Sequence, residues 1–130
     1  MLAIKVTALY AGICALLVIA LAYRVVAFRR GEKVGLGSGG HHMGQVAVRA
    51  HANAIEYVPL ALILMMIAEI NGLSAVWLHC LGATFVLARL IHAVGLVSGK
   101  GGYHPGRFGG TALSWLVILI LAVINIVSAL

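Results

Sequence analysis

Residues 49–70 read RAHANAIEYVPLALILMMIAEI, and their composition poses the question that decides the fold. Most of the stretch is soluble in oil, yet Arg49, Asn53 and Glu56 stand in its first third. Spacings of four and then three residues put all three on one face of a helix, with Gln45 one turn earlier. A helix with one polar edge in an otherwise apolar stretch of this length has lipid on most sides and a protein interior on one.

The whole chain has the same character. Of its 130 residues, 63% are hydrophobic and only 9% are charged. A soluble domain of this size keeps too much surface in water to hide so much apolar area. Four apolar segments, at about 4–28, 46–70, 76–97 and 109–129, each approach the ~20 residues that a membrane helix needs. Helices satisfy their own backbone groups in lipid, so the expectation is a single all-α domain, a four-transmembrane-helix bundle running up-down-up-down. The segment 71–75, NGLSA, is a tight uncharged turn that makes spans two and three a hairpin.

The net charge of +6 comes from single basic residues between apolar runs, without the interleaved aromatics of a nucleic-acid surface. It fits the positive-inside rule instead. Arg29, Arg30 and Lys33 lie in the first loop, Lys100 and Arg107 in or beside the third, and none in the second. Loops 29–45 and 98–108 are therefore expected in the cytoplasm, with both termini on the other side. Lys5, an apolar run and Ala20-Leu21-Ala22 imitate a secretory signal, but the run continues to Phe28 and ends in Arg29-Arg30, which oppose translocation. The first span is accordingly read as a retained helix.

With this orientation Arg24, Arg49, Glu56, Arg89, His92 and Arg107 share the cytoplasmic half of the membrane, while Glu69, Asn71 and His79 lie near the hairpin turn. Ion pairing within the bundle, with Arg24 and Arg107 snorkelling to the interface, accounts for part of this set. It leaves a surplus, because four arginines face one mid-span acid, Glu56. Arginine binds carboxylates through paired N–H donors, so the excess cation calls for an anionic ligand.

The run Arg49-x-x-x-Asn53-x-x-Glu56-Tyr57-x-Pro59 resembles the second-span signature of the MAPEG superfamily, the membrane-associated proteins in eicosanoid and glutathione metabolism. Arg89-x-x-His92 resembles its third-span motif, and Arg107 before an apolar helix the start of its fourth span. The likeness covers essentially the whole chain and is greatest to the small bacterial inner-membrane branch. It implies a homotrimer with glutathione sites between subunits, and a glutathione transferase or peroxidase acting on lipophilic molecules that arrive through the lipid. By the same resemblance, Arg24 and Arg49 hold glutathione carboxylates and Asn53, Glu56 and Tyr57 bind its backbone and amino group. Arg89 and His92 shape the site, and Arg107 stabilises the thiolate. No metal is implied. Leu96 and Thr111 stand where family enzymes often carry tyrosines. A non-catalytic binding or structural protein is the alternative. A small proton-coupled exporter would need an acid in the first helix, and none occurs between Met1 and Phe28.

Three further signals are set aside. Gly35-x-Gly37-x-x-Gly40 matches a dinucleotide fingerprint but follows a membrane helix rather than a strand. His41-His42 supply too few fixed ligands for a metal and are read as surface residues. Cys14 and Cys80 lie inside apolar spans as small hydrophobes, with no disulfide expected.

Overall fold

A computed structural model describes residues 4–130. Four helices account for nearly all of it: α1 (Lys5–Glu32), α2 (His42–Ile70), α3 (Ala75–Ser98) and α4 (Pro105–Ser128). All four are long and apolar enough to cross a membrane. Each corresponds to one expected span, and the helices overrun the apolar segments at the ends next to the basic loops. Fraying into loop is costly where the backbone leaves water, so helix continues until caps end it. At the end of α1, Lys33 adopts the left-handed conformation (φ 54°) and its N–H bonds Arg29 O. At the start of α4, Pro105 occupies a first-turn position and His104 Nδ1 accepts from Gly106 N at 3.1 Å. That early start carries Arg107, expected beside the span, into the first turn of α4. Helix α2 runs unbroken through Pro59.

Contacts at the two ends fix the directions. Glu69, at the end of α2, accepts from Val6 N (2.9 Å) and Thr7 N (2.8 Å) at the start of α1, so α1 and α2 are antiparallel. This carboxylate from another helix caps α1, which has no side-chain cap of its own. Tyr10 Oη donates to His79 O at 3.0 Å, bringing the starts of α1 and α3 together. Asn125 Nδ2 donates to Leu64 O at 2.9 Å, aligning α4 with α2. Among the described residues the backbones of α1 and α4 stay apart, with α2 and α3 between them.

The interior has two apolar clusters. One, toward the α2–α3 hairpin, contains Tyr10, Cys14, Val58, Met65, Leu78, Phe85 and Leu121. The other, toward the glycine-rich loops, contains Leu21, Val46, Ala50, Ala54, Ala93 and Leu96. Arg89 and His92, both buried, sit on α3 between Phe85 and Ala93 and thus between the clusters. Both cysteines are free, Cys14 buried and Cys80 exposed. Six large apolar side chains of α1 point outward, Leu16 and Ile19 among them, as a lipid-facing helix requires.

Close approach of α3 and α4 depends on small residues, as is common where lipid-embedded helices pack. A Cβ on Gly110 would lie 2.5 Å from Ala88 O and 2.6 Å from His92 N, both backbone atoms that cannot move aside. A Cβ on neighbouring Gly109 would meet nothing within 4 Å. Gly110→Ala is therefore expected to force the helices apart and destabilise the protein by about 1–3 kcal/mol. Gly109→Ala should stabilise it by up to about 1 kcal/mol through helix propensity. Thermal unfolding in detergent, with wild type alongside, compares the two.

Candidate functional site

A cavity of about 160 Å³ opens among α2, α3 and α4 beneath the loop after α3. Its wall contains Gln45, Arg49 and Asn53 from one edge of α2, His92 and Leu96 from α3, and Arg107 from α4. The period of α2 puts Gln45, Arg49 and Asn53 in line at four-residue spacing. No carboxylate lines the cavity. Glu56 lies just outside it, its Oε1 accepting from Arg49 Nη1 at 3.4 Å in an exposed pair. One side of the Arg49 guanidinium is thereby steadied while the cavity keeps a cationic wall.

Arg89 stands behind this wall rather than in it. The residue is 2% exposed, its Nη1 donates to Asn53 Oδ1 at 2.8 Å, and its guanidinium carbon lies 5.3 Å from the centre of the Tyr57 ring. Guanidinium N–H groups only donate, so they demand the oxygen of the Asn53 amide. The Asn53 Nδ2 group, which bonds nothing among the described residues, is left as a donor at the cavity edge. Tyr57 takes part through the same cation–π contact and packs against the hairpin-side apolar cluster.

The loop after α3 closes the cavity and restrains Arg107. His42 Nε2 meets Lys100 O at 2.6 Å, tying the start of α2 to this loop. The next two carbonyls, Gly101 O and Gly102 O, accept from Arg107 Nη1 at 2.6 and 3.2 Å. The remaining guanidinium nitrogens of Arg107 make no bond among the described residues. Arg107 also borders a second, apolar groove of about 320 Å³ on the outer face of α4, lined by Tyr103, Phe108, Thr111, Ala112 and Trp115. Tyr103 and Phe108 are 87% and 70% exposed, aromatic surface suited to the edge of a bilayer.

The sequence-predicted residues thus separate into groups. Arg49, Asn53, His92 and Arg107 come together at one cavity. Glu56 adjoins it through Arg49, and Arg89 and Tyr57 support it from behind. Arg24 is not brought there. It lines a separate groove between α1 and α3, with Leu17, Leu21, Leu90 and Val94. Sequence reasoning missed His42, read as a loop surface residue, and Gly101, because neither carries a signal until the loops fold together. Leu96, noted as a departure from the family pattern, is buried and makes part of the wall apolar.

Removing Asn53 should leave the buried Arg89 guanidinium without its acceptor. Asn53→Ala is expected to destabilise the protein by about 1.5–3 kcal/mol, the range for hydrogen bonds to charged groups. Arg89→Met combined with Asn53→Ala should lose much less than the sum of the single effects, because no stranded charge remains. Unfolding midpoints of the four proteins in such a cycle test the coupling.

Comparison with known proteins accords with this architecture. Residues 7–127 match the MAPEG family. Inner membrane protein YecN of Escherichia coli K12 is 34% identical over 125 residues, covering 93% of this chain and 90% of the relative. The YecN of Escherichia coli O6:H1 matches to the same extent. With the match spanning all four helices, this chain is a membrane protein belonging to the MAPEG family.

Proposed function

We propose that this protein is a glutathione-dependent membrane enzyme, a transferase or peroxidase acting on lipophilic electrophiles. The observation that carries this reading is the position of Arg107, whose side chain borders both a cationic polar cavity and an apolar groove on the outer face of α4. A reaction between a charged thiol and a lipid-borne partner needs such a boundary.

Glutathione supplies two carboxylates for a cavity whose charged lining residues are Arg49 and Arg107. Asn53 Nδ2 offers a further donor, held in place by Arg89. Glu56 is available to the ammonium group of the ligand or continues to hold Arg49. A free thiol has a pKa of about 8.5, and a neighbouring guanidinium lowers it. The thiol proton leaves to solvent, the thiolate attacks an electrophilic carbon, and a sulfur–carbon bond forms as the leaving group departs with its electron pair. Arg24 faces a different groove from the cavity; in the proposed homotrimer the arginine of one subunit completes the site of the next. The location proposed is the inner membrane, as in the name of the relatives, with loops 29–45 and 98–108 cytoplasmic and both termini periplasmic.

A second reading, a binding protein without turnover, is favoured by two details. Leu96 gives the cavity a methyl surface where a hydroxyl would serve a thiolate, and the Thr111 hydroxyl is spent on Arg107 O at 3.0 Å. The readings separate experimentally. Millimolar glutathione is expected to raise the unfolding temperature of the purified protein, and Arg49→Ala to abolish the shift. Ultraviolet thiolate absorbance should develop on binding to wild type and disappear in Arg107→Ala. Absence of any shift refutes glutathione binding; a shift without thiolate absorbance favours the binding protein.

A further inference from the structure

The strongest feature outside the cavity is the end of α1. There the chain leaves the helix at Lys33, and the following segment folds back so that Arg29 Nε donates to Gly37 O at 3.2 Å. The fold borders a shallow, open concavity of about 310 Å³ lined by Val26, Arg29, Arg30, Lys33, Val34 and Gly35. Its lining combines two valines with three cations. The one acid nearby, Glu32, is not among the lining residues; its carboxylate lies 3.9 Å from His41 Nε2. Leu36, next in the chain to Gly35, is 86% exposed where the apolar run of α1 has given way to a basic loop.

Isolated cations at helix ends meet lipid phosphates in passing. Three lining one concavity, one of them tethered to the backbone, lose less freedom on binding and so hold an anion more selectively. A soluble anion would gain from the cations alone. Only an amphiphile also gains from the two valines and from exposed Leu36, which an acyl chain would cover. We propose that this concavity is a binding site for the phosphate headgroup of an anionic phospholipid, whose acyl chain lies along Val26 and Leu36. The site is separate from the cavity at Arg49 and Arg107 and stands whatever ligand that cavity takes.

The test uses the full chain purified in neutral detergent, titrated with cardiolipin, phosphatidylcholine or inorganic phosphate and read by native mass spectrometry and thermal shift. Wild type should bind cardiolipin in preference to phosphatidylcholine, with little response to inorganic phosphate. Each basic residue near an anionic lipid surface contributes about fivefold in affinity, so R29Q/R30Q/K33Q should lose roughly a hundredfold. Should that variant fail to insert, Arg30→Gln carries the test alone; its side chain bonds nothing among the described residues, and about a fivefold loss is expected. Leu36→Ser should weaken cardiolipin binding while any response to inorganic phosphate stays unchanged. Equal binding of cardiolipin and phosphatidylcholine by wild type, or unaltered cardiolipin affinity in the charge variants, overturns the proposal. Inorganic phosphate protecting as strongly as cardiolipin assigns the concavity to a soluble anion and also overturns it.

Discussion

The structure turns on one buried guanidinium. Arg89 lies between two apolar clusters with almost no exposure. A cation in the centre of a membrane helix costs about 2.5–3.5 kcal/mol on insertion scales, so it persists where partners recover that cost. Asn53, which accepts from Nη1, and the face of Tyr57 are those partners, and both come from α2, while Nε and Nη2 are buried without a hydrogen-bond partner among the described residues. The hydrogen bond joins α2 to α3, and the ring contact supports it. It also orients the Asn53 amide, and His92, three residues on along α3, reaches the cavity wall. A residue that touches no part of the cavity surface thereby organises its chemistry.

Around this centre the protein meets two solvents. The outward faces of the helices are apolar because lipid surrounds them, and little of α1 is hidden inside the bundle. The loop end is polar and glycine-rich, with Gly101 at φ 81° allowing the turn that delivers its own and the next carbonyl to Arg107. Where the regimes meet, Arg107 divides the polar cavity from the apolar groove. The backbone contact across Gly95 and Gly110 sets its depth, since any side chain at these positions would meet the neighbouring helix.

Polar residues elsewhere in the bundle follow the same rule. Ser114 returns its hydroxyl to Gly110 O at 2.7 Å, and Asn125 crosses from α4 to Leu64 O. Glu69 spends its carboxylate on two N–H groups that the first turn of α1 leaves open. In each case that donor or acceptor finds a partner in the protein, whereas Asn125 Oδ1 and Thr7 Oγ1 are buried without one among the described residues.

The sequence alone determined a good deal. Apolar run length gave the four spans, the uncharged NGLSA turn gave the α2–α3 hairpin, and helical period aligned Arg49, Asn53 and Glu56 on one edge of α2. These are local properties, set by distance along the chain. The family could be read from the second-span motif for the same reason, because the motif lies on one helix. What only the tertiary structure decided is how residues far apart in sequence divide among the surfaces. Arg89 and His92 belong to one motif, yet one supports the wall and the other forms it. Arg24 shares their half of the bundle but faces another groove. His42 gains its place through a carbonyl 58 residues away, and Glu69 through amides 62 and 63 residues away. Periodicity fixes which way a side chain points from its own helix; which neighbour it then meets depends on how the helices rotate and pack.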